Sequence, residues 1–166
     1  SQLAQISTVQ GIEKLNTTLA ALAGNVDAGQ TLQAANLVGR QVIVSGNTLD
    51  LGASGANGAF SVPQPVDRLT VTVTDASGVV VHHVELGAQP AGMRYFAWDG
   101  LSDSGARALD GQYRFSIAAA ANGQAVTAET LAIGQVFGVG RASDGSATVN
   151  LGSLGEKPFA DVKQIM

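Results

Sequence analysis

Residues 95–117 read YFAWDGLSDSGARALDGQYRFSI, and they hold much of the bulk in a chain whose aromatic content is only 5%. Side chains alternate between the two faces of a strand, so Phe96 and Trp98 share one face and Tyr113, Phe115 and Ile117 share one face of the next strand. The connection is bounded by Asp99-Gly100 and Asp110-Gly111, with Gly105 between. Glycine admits the positive φ angles of tight bends, and Asp99, Asp103 and Asp110 can accept hydrogen bonds from nearby amides. The pattern predicts two strands whose aromatics fill the space between two sheets.

Working outward, RLTVTVTD sets Leu69, Val71 and Val73 on one face and Thr70, Thr72 and Thr74 on the other, as a strand with one dry face requires. A turn at Asp75–Gly78 and a further strand, VVVHHVELG, complete a set of short strands of the immunoglobulin or fibronectin type III sandwich kind. Ahead of it lie three short β-branched runs, Val42–Val44, Thr48–Leu51 and Ala59–Val62, which read as a small meander or barrel with Ser45-Gly46-Asn47 as a turn. Pro63-Gln64-Pro65 reads as an extended linker, since two prolines remove ladder donors. Behind it, AVTAETLAIGQVFGVG and SATVNLG, joined by a Ser143-Asp144-Gly145 hairpin turn, resemble the early strands more than the aromatic ones. The predicted organisation is therefore a mainly β protein with one domain inserted in another: a helical segment 1–36, a discontinuous β domain 37–64 plus 124–166, and an inserted sandwich 65–123. Pro63, Gln64, Pro65 and Val66 on one crossing, and Ala121, Asn122 and Gly123 on the other, are the expected hinge.

In the first 22 residues Leu3, Ile6, Val9, Ile12, Leu15, Leu19 and Leu22 recur every three or four positions, predicting an amphipathic helix that stops near Gly24-Asn25. QTLQAANLVG reads as adding a short helical turn before the first strand. A terminal rod has few neighbours in its own chain, so the apolar stripe is expected to mediate self-association or contact with a partner subunit.

Composition narrows the function. A hydrophobic share of 45% in 166 residues suffices for a packed core, and a net charge of -4 offers no basic surface for nucleic acid. Without cysteine there is no disulfide framework or thiolate chemistry, and no apolar run reaches the roughly 18–20 residues of a membrane span. His82 and His83 are adjacent in a strand, so they point to opposite faces and cannot line one pocket without a bulge. Asp99 and Asp103 fall short of the oxygen set that calcium wants and read as turn residues. No nucleophile–base arrangement or phosphate loop is present, so no catalytic residue, cofactor or metal is expected. Starting without Met or a basic-apolar leader, the chain reads as a processed product or as a piece that starts inside a longer protein, with any export information lying upstream of it.

Several segments together resemble the flagellar hook-capping protein family. AQISTVQGIEKLN is similar to the helix leading out of its N-terminal region, LVGRQVIV to the entry strand of a Tudor-like part, FAWDG with SGARALDGQYRFSI to its fibronectin-like insert, and GQVFGV with DVKQI to the return strands and tail. The resemblance implies a Tudor-like barrel interrupted by a fibronectin type III domain. It also implies a scaffold exported by the flagellar type III machinery, acting transiently at the distal end of the growing hook on the hook subunit and on copies of itself. The alternative expectation from another class is a secreted carbohydrate-binding or adhesive module, which would present Tyr95 and Phe137 on one flat exposed face.

Overall fold

A computed structural model describes residues 2–166, with the side chains of residues 24–27 outside that description. Helix α1 (Gln2–Ala35) is followed by strands β1 (Gln41–Ser45), β2 (Thr48–Leu51), β3 (Ala56–Val62), β4 (Arg68–Thr74), β5 (Val80–Glu85), β6 (Gly92–Trp98), β7 (Gly111–Ala121), β8 (Gln124–Val126), β9 (Glu129–Gln135), β10 (Gly138–Arg141), β11 (Ala147–Asn150), β12 (Glu156–Pro158) and β13 (Val162–Ile165). Short 3-10 turns occupy Gly152–Leu154 and Phe159–Asp161.

The strands form three sheets, ordered β13-β1-β9-β3-β6, β10-β11-β12 and β2-β7-β4-β5, with β8 pairing to β7. The early strands do not make a meander. β1 pairs with β13 and β9, β2 pairs with β7, and β3 pairs with β6 and β9. Ser45-Gly46-Asn47 is the point where the chain leaves one sheet for another: Gly46 N–H donates to Thr130 O, and Asn47 O accepts from Phe115 N–H.

One core fills the sandwich. Phe60, Val62, Leu69, Val71, Val73, Phe96, Trp98 and Phe115 are almost fully buried, Tyr113 is 8% exposed, and Ile117 packs at the margin. Leu49, Leu51 and Ala56 belong to this core as well, so β2 and β3 are sandwich strands. The rings meet edge-on, Phe96 on Phe115 and Trp98 on Tyr113, each with centroids 5.0 Å apart, the geometry that aromatic quadrupoles favour. Gly58 is required here: a Cβ on it would lie 2.5 Å from the Phe96 ring.

A second core, with Ala34, Leu37, Val42, Val44, Val136, Val149 and Leu151, lies between β1/β9 and the β10–β12 sheet, and the end of α1 closes it. These strands do not close into the barrel expected from the sequence. The reason is in the pairing of β9: one edge goes to β1, and the other, from Gly58↔Ala132 to Ser61↔Glu129, goes to β3 of the sandwich. The sheet thus continues into its neighbour instead of curling on itself.

Helix α1 does not stop at Gly24-Asn25. It runs as one element to Ala35, so that the first part of QTLQAANLVG is its end and the rest is turn. At 34 residues it is a rod of roughly 50 Å. Leu37 is 4% exposed and Gly39 N–H donates to Val136 O, which ties the end of the rod to the body.

Candidate functional site

Three features stand out from the body: the bare rod, the 99–110 loop and the sheet shared by the two halves. Every apolar position read into the stripe is open to solvent, from Leu3 at 81% through Ile6, Val9, Ile12, Leu15 and Leu19 to Leu22 at 55%. They do not form one straight stripe. An α-helix turns about 100° per residue, so each step of three moves a side chain roughly 60° backward round the axis. Leu3, Ile6 and Val9 therefore fall on one side, while Ile12, Leu15, Leu19 and Leu22, spaced 3-4-3, line the other. The second group has the spacing of a helix-packing seam.

The residues expected at the hinge sit at one end of the sandwich. Pro63, Gln64 and Pro65 link β3 to β4, both sandwich strands, and Val66 is buried and pairs its backbone with Gln89. Ala121 ends β7, and Asn122-Gly123 is a tight two-residue turn into β8, both residues having positive φ (52° and 77°), the backbone that Asn-Gly favours in hairpins. Asp67 fastens the two segments, since its carboxylate accepts from Asn122 N–H at 2.7 Å and its own N–H donates to Ala120 O. Residues 46–47 connect β1 to β2, and residues 127–128 connect β8 to β9. Alongside, Gln112 Nε2 donates to Ser153 O and Ser153 Oγ to Asp50 Oδ2.

The 99–110 loop is held at many points. Trp98 Nε1 donates to Leu101 O at 2.8 Å and Tyr113 Oη to Leu109 O at 2.7 Å, so the two core aromatics grip the loop from beneath. Arg107 donates to Asp99 O and Gly52 O and pairs with Asp110.

The histidines are the residues that sequence reasoning placed least well. Between β4 and β5 the register shifts, Val73 opposing His82 while Thr74 opposes Val80, so Val81 bulges. Asp103 sits off this outer strand: its N–H donates to Val81 O, and its Oδ1 accepts from His83 N–H at 3.0 Å. His83 Nδ1 is 2.7 Å from Oδ2 and His82 Nδ1 is 2.9 Å from Oδ1. Both imidazoles thus converge on one carboxylate. The hydrogen bonds from the His83 side chain and then its backbone N–H, with a smaller charge contribution from both imidazoles, hold the Asp103 carboxyl below its usual range. Asp75 and Asp144 are lowered too, chiefly by the hydroxyls of Ser77 and Ser146 in their turns. Among the described residues no group of three or more His, Cys, Asp or Glu side chains is arranged to hold a metal ion. No helix among them is long and apolar enough to cross a membrane.

Comparison with known proteins decides the lineage. The chain is 40% identical, over its whole length and 75% of the relative's, to the basal-body rod modification protein FlgD of Escherichia coli K12, and equally to that of Salmonella typhimurium LT2. The chain belongs to the FlgD family. Residues 46–124 match the FlgD Ig-like domain model, a span that starts just before β2 and ends at the turn into β8. Two FlgD crystal structures share the fold at 30% identity. That from Xanthomonas campestris, described as giving insights into hook capping essential for flagellar assembly, has a TM-score of 0.72 over 82% of this chain and 99% of that one. That from Pseudomonas aeruginosa has a TM-score of 0.69 over 78% and 98%.

Proposed function

We propose that this chain is a hook-capping scaffold, a non-enzymatic assembly protein that promotes polymerisation of hook subunits at the distal end of the growing flagellar hook. The observation that carries this reading is the 40% identity to FlgD proteins across the entire chain. Export through the flagellar type III apparatus and transient residence outside the cell follow from that role.

In this reading the rod joins copies of the cap, through Ile12, Leu15, Leu19 and Leu22, whose 3-4-3 spacing lets side chains of one helix seat between those of a neighbour. The Ig-like sandwich spans β2 to β8, wider than residues 65–123, and the second domain comprises β1 with residues 129–166. Pro63–Val66 and Ala121–Gly123 then stiffen the sandwich end. The β3–β9 ladder and the Asp50–Ser153 contact make the halves advance together, with the rod fastened to them through Ala34 and Leu37.

The carbohydrate-binding alternative fares worse. Tyr95 and Phe137 are exposed, at 50% and 63%, but Tyr95 is on β6 opposite Ala59 of β3, and Phe137 lies past the end of β9, its N–H donating to Asn150 O of the β10–β12 sheet. They make no common platform. The test is complementation: in its full-length context the protein restores hooks to a strain lacking FlgD. Absence of hooks despite normal secretion of the protein would overturn the reading.

A further inference from the structure

We propose that His82, Asp103 and His83 form a proton-tightened latch, which fastens the 99–110 loop to the outer strand β5 and holds it more firmly in mild acid than at neutral pH. The inference does not depend on the hook-capping reading. It starts from an arrangement that ordinary strand geometry forbids, two consecutive side chains reaching one acceptor. The bulge at Val81 and the position of Asp103 beyond the free edge of β5 make it possible.

A carboxylate can only accept, so each imidazole Nδ1 that faces Asp103 must carry a hydrogen. His83 makes its bond to Oδ2 at 2.7 Å. His82 Nδ1 is buried, lies 2.9 Å from Oδ1 off the hydrogen-bonding direction, and has no other partner among the described residues. Of the two side-chain contacts, that of His83 is a made hydrogen bond and that of His82 is only close. Adding a proton to either ring turns a neutral contact into a charge-assisted one, which is shorter and stronger. The cluster's charge passes from -1 to 0 with one proton and to +1 with two, and the anion stays between the cations. Imidazole ordinarily takes up its proton near pH 6.5.

Few other charges face the cluster. On β4 the residues in register, Thr72 and Val73, are uncharged. Across the cavity of about 330 Å³ that His82 lines stand Ser54, Asn57 and one carboxylate, Asp99. Arg107 is engaged by Asp110 and two carbonyls, and Asp75 by its own turn, while Glu85 lies at the far end of β5. Because hydrogen bonding holds the Asp103 carboxyl below its usual range, the latch releases only in stronger acid, when the anion itself is neutralised. The loop it secures carries Leu109, 85% exposed, so the latch fixes the posture of an apolar surface residue.

His82 supplies a built-in reporter. Its ring stacks on Trp98, the chain's one tryptophan, with centroids 6.3 Å apart and planes 19° from parallel. The experiment measures amide hydrogen exchange at His83 and Asp103 at pH 7.5 and 5.5, corrected for intrinsic rates, together with Trp98 emission. Protection is expected to rise roughly five-fold in mild acid, with emission intensity falling as an imidazolium forms against the indole. In His82→Gln the emission change disappears; in His83→Gln and Asp103→Asn the gain in protection disappears. An unshifted Trp98 emission maximum shows each variant to be folded. Equal protection at the two pH values in the unaltered protein, or the same gain in Asp103→Asn, would overturn the proposal.

Discussion

Trp98 connects the core to the surface. Its ring is 1% exposed against Tyr113, and its N–H holds Leu101 O. Trp98→Ala is expected to lose about 3–5 kcal/mol of stability, measured by urea unfolding, and to loosen the loop. Gly58 makes the complementary case: Gly58→Val drives a side chain into the Phe96 ring, and a loss of about 1–3 kcal/mol is expected, typical of overpacking. Acid titration tests the aspartates. Asp75, Asp103 and Asp144 have carboxyls lowered from the unfolded value of 3.8, so the stability they confer is present above that value and lost as pH falls through their lower folded values. Urea midpoints should therefore hold their aspartate-dependent part down to about pH 4 and drop below it, with a smaller drop in Asp103→Asn. The aromatic positions were legible in the sequence because alternation alone assigns a face. The meeting of His82 and His83 was not, since a bulge leaves no mark in β5 and the acceptor comes from a loop 20 residues away.

Helix and strand identities were equally readable, and their pairings were not. The alternation in 68–74 gave β4 and its buried face, and β-branched runs gave β1, β2 and β3. Which sheet each joined depended on Gly46 and Asn47, whose backbone contacts lie with Thr130 and Phe115, far along the chain. The rod shows the same limit. Spacing of three or four announces a helix, but runs of three drift round it, and Gly24-Asn25, a good stop by local chemistry, lies inside a helix that runs on to Ala35. Two sides at two heights have separable consequences. Ile12→Glu with Leu19→Glu should abolish association, read by light scattering, while Leu3→Glu with Ile6→Glu should leave it nearly intact. Far-ultraviolet circular dichroism checks that the rod remains helical in both pairs.

For the body, the shared sheet is the main structural fact. β9 lies between β1 and β3, and Ile43, Ala59 and Leu131, all buried, form a small core at the seam. The halves should therefore unfold in one transition, with Trp98 fluorescence and amide exchange in β10–β11 losing order at the same urea concentration. Two separated transitions would mean that the ladder couples them weakly. In the proposed capping role, such a body supplies a shape carried on a long exposed rod. The most direct test is sedimentation equilibrium of the protein and of its Ile12→Glu/Leu19→Glu variant, paired with hook formation by each in cells lacking FlgD. The expected result is a self-associating parent that builds hooks, and a monomeric variant with unchanged Trp98 emission that is secreted and builds none. A monomeric parent at high concentration, or full-length hooks from a monomeric variant, would contradict the account.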